Sequence, residues 1–439
     1  MKRSARICIL FAAIMLVALP GRVLAKVYID IFSPFATRLP IAVSPFKNTG
    51  SQPDTGNIAA KMAAVIQQDL ELSGFFRVLD AGAVAQDPAS AGITINTITW
   101  DSWTMIGAEA LVTGGISVNN SELVAELRLF DAVQRQSIVG KRYFGRLEDA
   151  RLIAHKFSNE IFKSLAGEQS IFETKIAFEK SSRGDKEICI ADFDGSRAET
   201  ITAMNSICLN PAWSPDGKKI AFTSYTDGNP DLYIKDLASE KTERVSHKKG
   251  INITPAWSPD GGKIALTLSL NNGNSEIYIL DVATRELERL TDDPANDVSP
   301  TWSPGGDAIA FVSSRSGSPQ IFVAELPGKK VRRITFDGAY NTSPDWSPKG
   351  NKIAYAGQQG GTFNIFVINT DGTLFQQLTH SQGRNEDPSW SPDGRFIAFS
   401  SNRSGKNEIY IMRADGTGQK KITGGAGEKT SPAWSPSIK

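Results

Sequence analysis

The chain has 439 residues with 22% charged and 40% hydrophobic side chains and a formal net charge of +1. That length suits roughly two or three domains with ordinary cores, and the near-neutral balance without a basic block excludes a nucleic-acid or anionic-membrane binder that works through charge. The histidines His155, His247 and His380 are scattered and form no zinc-like cluster with the cysteines, so neither metal nor cofactor is expected.

Residues 1–25 read as a secretory signal peptide. Lys2, Arg3 and Arg6 precede an unbroken run of 13 apolar residues from Ile7 to Leu19, and Val23-Leu24-Ala25 offers a cleavage site after Ala25. The run is short for a membrane span, and no later segment approaches one. Cleavage removes four positive charges and no negative ones, so the formal charge falls from +1 to −3. Only Cys189 and Cys208 then remain, and two buried thiols are expected rather than a bridge, which demands a specific geometry.

Residues 26–168 are expected to form an α/β domain. In Lys26 to Ser33, Val27, Ile29 and Ile31 alternate with Tyr28 and Asp30 and lead into Phe32, which suits an edge strand or an extended segment offered to a partner. A strand is expected over 40–43. Asn57 then caps a helix in which Ile58, Met62, Val65, Ile66, Leu70 and Leu72 fall mostly on one face, ended by Gly74. Further strands are expected over 75–79, 110–118, 123–130 and 137–144, then a second helix over 147–165 with Ile153, Phe157, Ile161 and Phe162 inward. His155, on that helix, reads as a satisfied histidine beside apolar neighbours.

From residue 169 to 439 the chain repeats. Trp213, Trp257, Trp302, Trp346, Trp390 and Trp434 are spaced 44, 45, 44, 44 and 44 residues apart, in phrases such as Pro211 to Phe222, PAWSPDGKKIAF. Each repeat carries four short strand-like runs joined by turn signals, which is a β-propeller blade. The strand read Ile176-Ala177-Phe178 lacks a Trp phrase before it, and the last Trp phrase, at Trp434, lacks such a strand after it. The two halves complete one blade, so the fold expected is a six-bladed propeller closed by the C-terminal strand. The Asp-Gly pairs at Asp194-Gly195, Asp371-Gly372 and Asp415-Gly416 are hairpin turns, too poor in oxygen ligands for calcium.

These phrases, with several in the N-terminal part, carry a resemblance. Ile41-Ala42-Val43-Ser44-Pro45-Phe46, Ser73-Gly74-Phe75-Phe76-Arg77-Val78-Leu79-Asp80, Ile106-Gly107-Ala108-Glu109-Ala110-Leu111-Val112 and Ala154-His155-Lys156-Phe157-Ser158-Asn159-Glu160-Ile161, joined to six WSPDG-type blades, resemble the TolB family of periplasmic Tol–Pal propeller proteins. The resemblance implies a non-catalytic periplasmic scaffold, monomeric, without a membrane segment after cleavage. It implies binding of the lipoprotein Pal at one propeller mouth and of the inner-membrane protein TolA through Lys26, Val27, Tyr28, Ile29, Asp30, Ile31, Phe32 and Ser33. Further outer-membrane partners, support of outer-membrane integrity and a part in cell-division constriction belong to the same expectation.

The loops joining each outermost strand to the next innermost strand gather on one face, and a ring of short polar residues there suits a partner's protruding loop. The Pal-binding candidates are therefore Asn252, Thr254, Asp297, Ser299, Asn341, Ser343, Asn385 and Asp387. An accessory part of a peptidase is the main rival, but a hydrolase needs a separate domain with a Gly-x-Ser-x-Gly elbow, which the sequence lacks. A propeller lyase would want a histidine cluster in its channel. A carbohydrate- or peptide-binding propeller is compatible with composition.

Overall fold

The structure, a computed structural model, describes residues 38–84, 92–168, 170–182, 184–270, 273–326, 328–380 and 382–437. The expected signal peptide and the TolA-binding candidates Lys26 to Ser33 lie outside the described residues. No helix among them is long and apolar enough to cross a membrane.

The N-terminal domain is a mixed sheet under two long helices. Its strands are β1 (Leu39–Val43), β2 (Lys47–Asn48), β3 (Phe76–Leu79), β4 (Ala110–Asn119), β5 (Glu122–Asp131) and β6 (Gln136–Arg146), in the order β3-β1-β4-β5-β6 with β2 also on β4. β1 runs parallel to β3 and β4, which requires a crossover, and α1 (Ile58–Ser73) supplies the one to β3. Alternation along β1 sends Ile41 and Val43 to the face covered by α1 and α3 (Ala150–Ala166). Ala42 points to the other face, where Trp100 and Trp103 of the short α2 (Trp100–Met105) pack with Leu79, Leu111 and Phe130.

Local details differ from expectation. Asn57 stands at the start of α1 in a left-handed conformation, φ 52°, and its side chain caps nothing. The carboxylate of Asp54 does so instead, accepting from the amides of Ile58 at 2.8 Å and Ala59 at 2.9 Å. The α3 helix starts at Ala150, after a single 3-10 turn over Leu147–Asp149.

Six four-stranded antiparallel sheets follow. Blades 2 to 6 begin with the inner strands Cys208–Trp213, Asn252–Trp257, Asp297–Trp302, Tyr340–Trp346 and Asn385–Trp390. Blade 1 takes its inner strand, Lys429–Trp434, from the far end of the chain. It pairs with Lys175–Ser182, Trp434 opposite Ile176 and Lys429 opposite Lys180, which closes the ring. Each blade is apolar on both faces, so neighbouring sheets share their cores. Ile264 of blade 3, for example, lies in one cluster with Ala221 and Ile234 of blade 2.

The repeated tryptophans also fasten blades through the indole N–H. Trp213 donates to the Ala433 carbonyl at 3.0 Å, Trp257 to Ala212 at 3.2 Å, Trp302 to Ala256 at 3.1 Å and Trp390 to Asp345 at 3.2 Å, each on the preceding blade's inner strand. Trp346 bonds the Gly350 carbonyl of its own turn, and Trp434 the Thr174 hydroxyl. In the turns themselves the serine hydroxyl is the hub. Ser214 donates to Asp216 at 2.6 Å and accepts the Lys219 amide at 2.9 Å, and Ser391 repeats this with Asp393 and Phe396. Cys189 and Cys208 are buried free thiols.

The N-terminal domain rests on the Ser-Pro-turn side of blades 1 and 6. Arg395, from the turn of blade 6, lies over the Phe75 and Phe162 rings and pairs with Glu168. Arg413 donates to the Glu71 carbonyl at 3.3 Å. His155 is paired, as its sequence context suggests, but with charged groups rather than apolar neighbours alone. It is held between Asp69 of α1 and Asp194 of blade 1.

Candidate functional site: the axial ring

Every inner strand carries one bulge at the same place. The pairing register shifts between Leu209 and Ala212, Ile253 and Ala256, Val298 and Thr301, Thr342 and Asp345, Glu386 and Ser389, and Thr430 and Ala433. Inside each bulge one residue is left-handed: Asn210 at φ 52°, Thr254 at 53°, Ser299 at 56°, Ser343 at 49°, Asp387 at 53° and Ser431 at 50°. A proline follows every one. Only glycine adopts such φ without cost, and β-branched Thr254 is the least suited. Side chains hold the conformation: the Thr254 and Thr267 hydroxyls meet at 2.7 Å, Ser299 donates its amide to Thr267 at 3.1 Å, and Asn210 donates its amide to Glu179 at 2.9 Å.

The six left-handed residues line an axial cavity of about 430 Å³. A second ring, Ala212, Ala256, Thr301, Asp345, Ser389 and Ala433, lines it further along the strands, and Pro215, Pro259, Pro304, Pro348 and Pro436 of the Ser-Pro turns complete it. The cavity therefore lies on the side of the bulge ring where the N-terminal domain stands, away from the connectors that the sequence points to.

This geometry divides the eight Pal-binding candidates in two. Thr254, Ser299, Ser343 and Asp387 are the ring itself. Asn252, Asp297, Asn341 and Asn385 are buried within or at the start of the inner strands rather than displayed on loops, which corrects their expected exposure. Asn252, Asn341 and Asn385 pin the connector before them. Asn252 accepts from Ser246 at 2.8 Å and donates to the Lys248 carbonyl at 2.7 Å. Asn341 donates to Gln320 at 2.8 Å and to the Asp337 carbonyl at 2.7 Å. Asp297 accepts from Arg315, and Asn385 from Arg403, both at 2.6 Å. In blade 1 the place belongs to Lys429, whose ammonium donates to the carbonyls of Gly424 and Gly427 at 2.8 Å each.

The ring is electrostatically lopsided. Its acids sit on blades 5 and 6. Burial, with the nearby charge of Glu179, raises the Asp387 carboxyl to about 6, although the Ser343 hydroxyl donates to it at 3.0 Å. Burial raises Asp345 to about 7 against the Trp390 amide, which donates to it at 2.7 Å. The residues just before each bulge repeat the division. Leu209, Ile253 and Val298 of blades 2 to 4 are apolar, whereas Thr342, Glu386 and Thr430 of blades 5, 6 and 1 are polar, and all six are partly exposed. Asp345 and Glu179 escaped the sequence reading, although Asp345 stands in the Pro-x-Trp phrase where the other repeats have Ala, Thr or Ser. Among the described residues no group of three or more His, Cys, Asp or Glu side chains is placed to hold a metal ion.

A closed six-bladed propeller with a polar axial ring, preceded by an α/β domain, defines the class. The model of the TolB beta propeller domain matches residues 162–438, and that of the TolB amino-terminal domain matches residues 27–138. The chain belongs to the TolB family. It is similar to the Tol-Pal system protein TolB of Desulfosudis oleivorans, 42% identical over 206 residues, 46% of this chain and 47% of that one. The protein of the same name in Geobacter metallireducens is 44% identical over 176 residues, 40% of each chain. These matches thus span about half the length of the curated relatives or less. The crystal structure of TolB from Acinetobacter baumannii superposes with a TM-score of 0.79 at 29% identity, covering 94% of this chain and 100% of that chain. A chain of the nidogen/laminin complex, 11% identical with a TM-score of 0.50 over 60% of this chain and 99% of that one, shares the fold alone.

Proposed function

We propose that this protein is a non-catalytic periplasmic scaffold of the Tol–Pal system, exported by cleavage after Ala25, that binds Pal at the axial mouth of its propeller and TolA through Lys26 to Ser33. In this role it supports outer-membrane integrity and constriction at division. The observation that carries the reading is the axial ring: six left-handed positions, four of them candidate residues, flanked by apolar residues on blades 2 to 4 and by acids on blades 5 and 6. Such a rim favours one orientation of a protruding partner loop, because its apolar and cationic sides match only one way round.

The two classes of candidate residue separate binding from folding. In a binding assay with purified Pal, Ser299→Arg combined with Ser343→Arg places in the ring bulk and a positive charge that repels the partner's cationic side. Affinity is expected to fall at least about tenfold, or about 1.4 kcal/mol, with unchanged far-ultraviolet circular dichroism. Wild-type affinity in the folded double variant would exclude this ring as the Pal site. Deleting residues 26–33 is expected to abolish capture of TolA and leave Pal binding and propeller melting in place. Retention of TolA by that truncated chain would remove the segment from the reading.

A further inference from the structure

His155 and Asp69 belong to the N-terminal domain and Asp194 to the propeller, and the three meet in the joint between them. Nδ1 of His155 is 2.8 Å from Asp69 Oδ2, and Nε2 is 3.1 Å from Asp194 Oδ2. The side chains are 1%, 4% and 8% exposed. Arg151, one turn before His155 on α3, also pairs with Asp194. Around them, the Ser196 amide donates to Asp194 at 2.9 Å, Arg197 is engaged by Asp192 at 2.6 Å, and Phe193 packs edge-on against the imidazole at 5.1 Å. The imidazole thus lies buried between two buried carboxylates, with the partly exposed Arg151 beside Asp194.

We propose that the Asp69–His155–Asp194 bridge is a proton-dependent pin that sets the angle at which the N-terminal domain stands on the propeller. Burial alone disfavours the imidazolium, but the two carboxylates reverse this and raise His155 to about 9. His155 and Ser196 hold Asp194 well below the usual carboxylate range despite its burial, while burial drives Asp69 upward. When His155 loses its proton, two buried carboxylates keep only Arg151 as a counter-charge, and Asp69 is the one left stranded. A tilt at the joint gives relief by letting water reach Asp194 on one side and Asp69 on the other, and it works against the apolar cluster of Phe162, Phe172, Phe193 and Phe396 that the two domains share. The joint draws on blades 1 and 6 through Asp194, Arg395 and Arg413, all on one side of the axis, so a released domain swings about that side.

The test is a distance measurement between spin labels on Met105→Cys and Leu374→Cys, which are 84% and 82% exposed and lie on different domains. The full mature chain is used, its two native thiols being buried. A single narrow distance distribution is expected at about pH 7, broadening with a midpoint near 9 as pH rises. His155→Gln and Asp194→Asn are each expected to be broad already at about pH 7 and insensitive to pH thereafter, with both domains folded by circular dichroism. A narrow wild-type distribution persisting to about pH 10.5 overturns the pin. So does a folded His155→Gln chain that keeps the wild-type distance. If that variant does not fold, the wild-type pH series and Asp194→Asn decide between the two.

Discussion

Asp345 shows how one ring residue acts on stability. Its folded carboxyl titrates at about 7 against an ordinary 3.8, so folding favours the protonated form. The stabilisation is complete below the ordinary value and is lost as pH rises through about 7. Asp345→Asn keeps an acceptor for the Trp390 amide and removes the titration. The variant is expected to melt above wild type at about pH 8 and level with it at about pH 4, and a lower melting temperature at the higher pH would contradict the assignment. The buried Asn341 behaves differently. Its loss to alanine strands Gln320 and the Asp337 carbonyl and is expected to cost about 1–3 kcal/mol in urea unfolding at any pH. The sequence displays both kinds of residue side by side and does not tell them apart. Strict alternation puts Asn252 and Thr254 on the same side of their strand, and the bulge breaks that alternation, so one is buried and the other faces the axis. Neither the pairing nor the sign of φ is written in a polar residue before a proline.

The start of α1 illustrates the same limit for an element. The apolar face and the Gly74 stop were legible from spacing, but two candidate caps, Asp54 and Asn57, lie within one turn and only tertiary placement selects between them. Asp54→Ala is expected to destabilise the chain by about 1 kcal/mol. Asn57→Gly is expected to be neutral or slightly stabilising, since φ 52° suits glycine. Urea titration of both variants checks the pair, and the reverse ranking would restore Asn57 as the cap. The α2 helix was missed for a related reason. Its six residues are too few to display a period, and it forms because Trp100 and Trp103 pack against Ala42 of β1 and Leu111 of β4.

At the scale of the molecule, the ring and its closure were legible because the repeats are out of phase at the two ends, and no other pairing completes both. The joint between the domains was not. Asp69 and His155 are 86 residues apart, no motif marks either, and Asp194 joins them only through the place where the first blade turns. Removing residues 429–439 takes away the inner strand of blade 1, the Lys429–Glu408 pair and the Trp434 indole bond to Thr174. The truncated propeller is expected to lose its cooperative calorimetric transition, leaving blades 1 and 6 exposed at an open edge. A sharp transition near the wild-type temperature would show that the ring holds without its closing strand.

The stitch between Trp434 and Thr174 spans 260 residues, and it has a temporal meaning. A ribosome delivers the first blade's three outer strands long before their fourth, so for most of its synthesis the nascent propeller cannot lock. Contacts of such high sequence separation are slow to form, and the unlocked intermediate presents bare strand edges to whatever chaperone or translocation machinery handles it. The geometry that closes the propeller keeps the growing one pliable until the strand Lys429–Trp434 arrives.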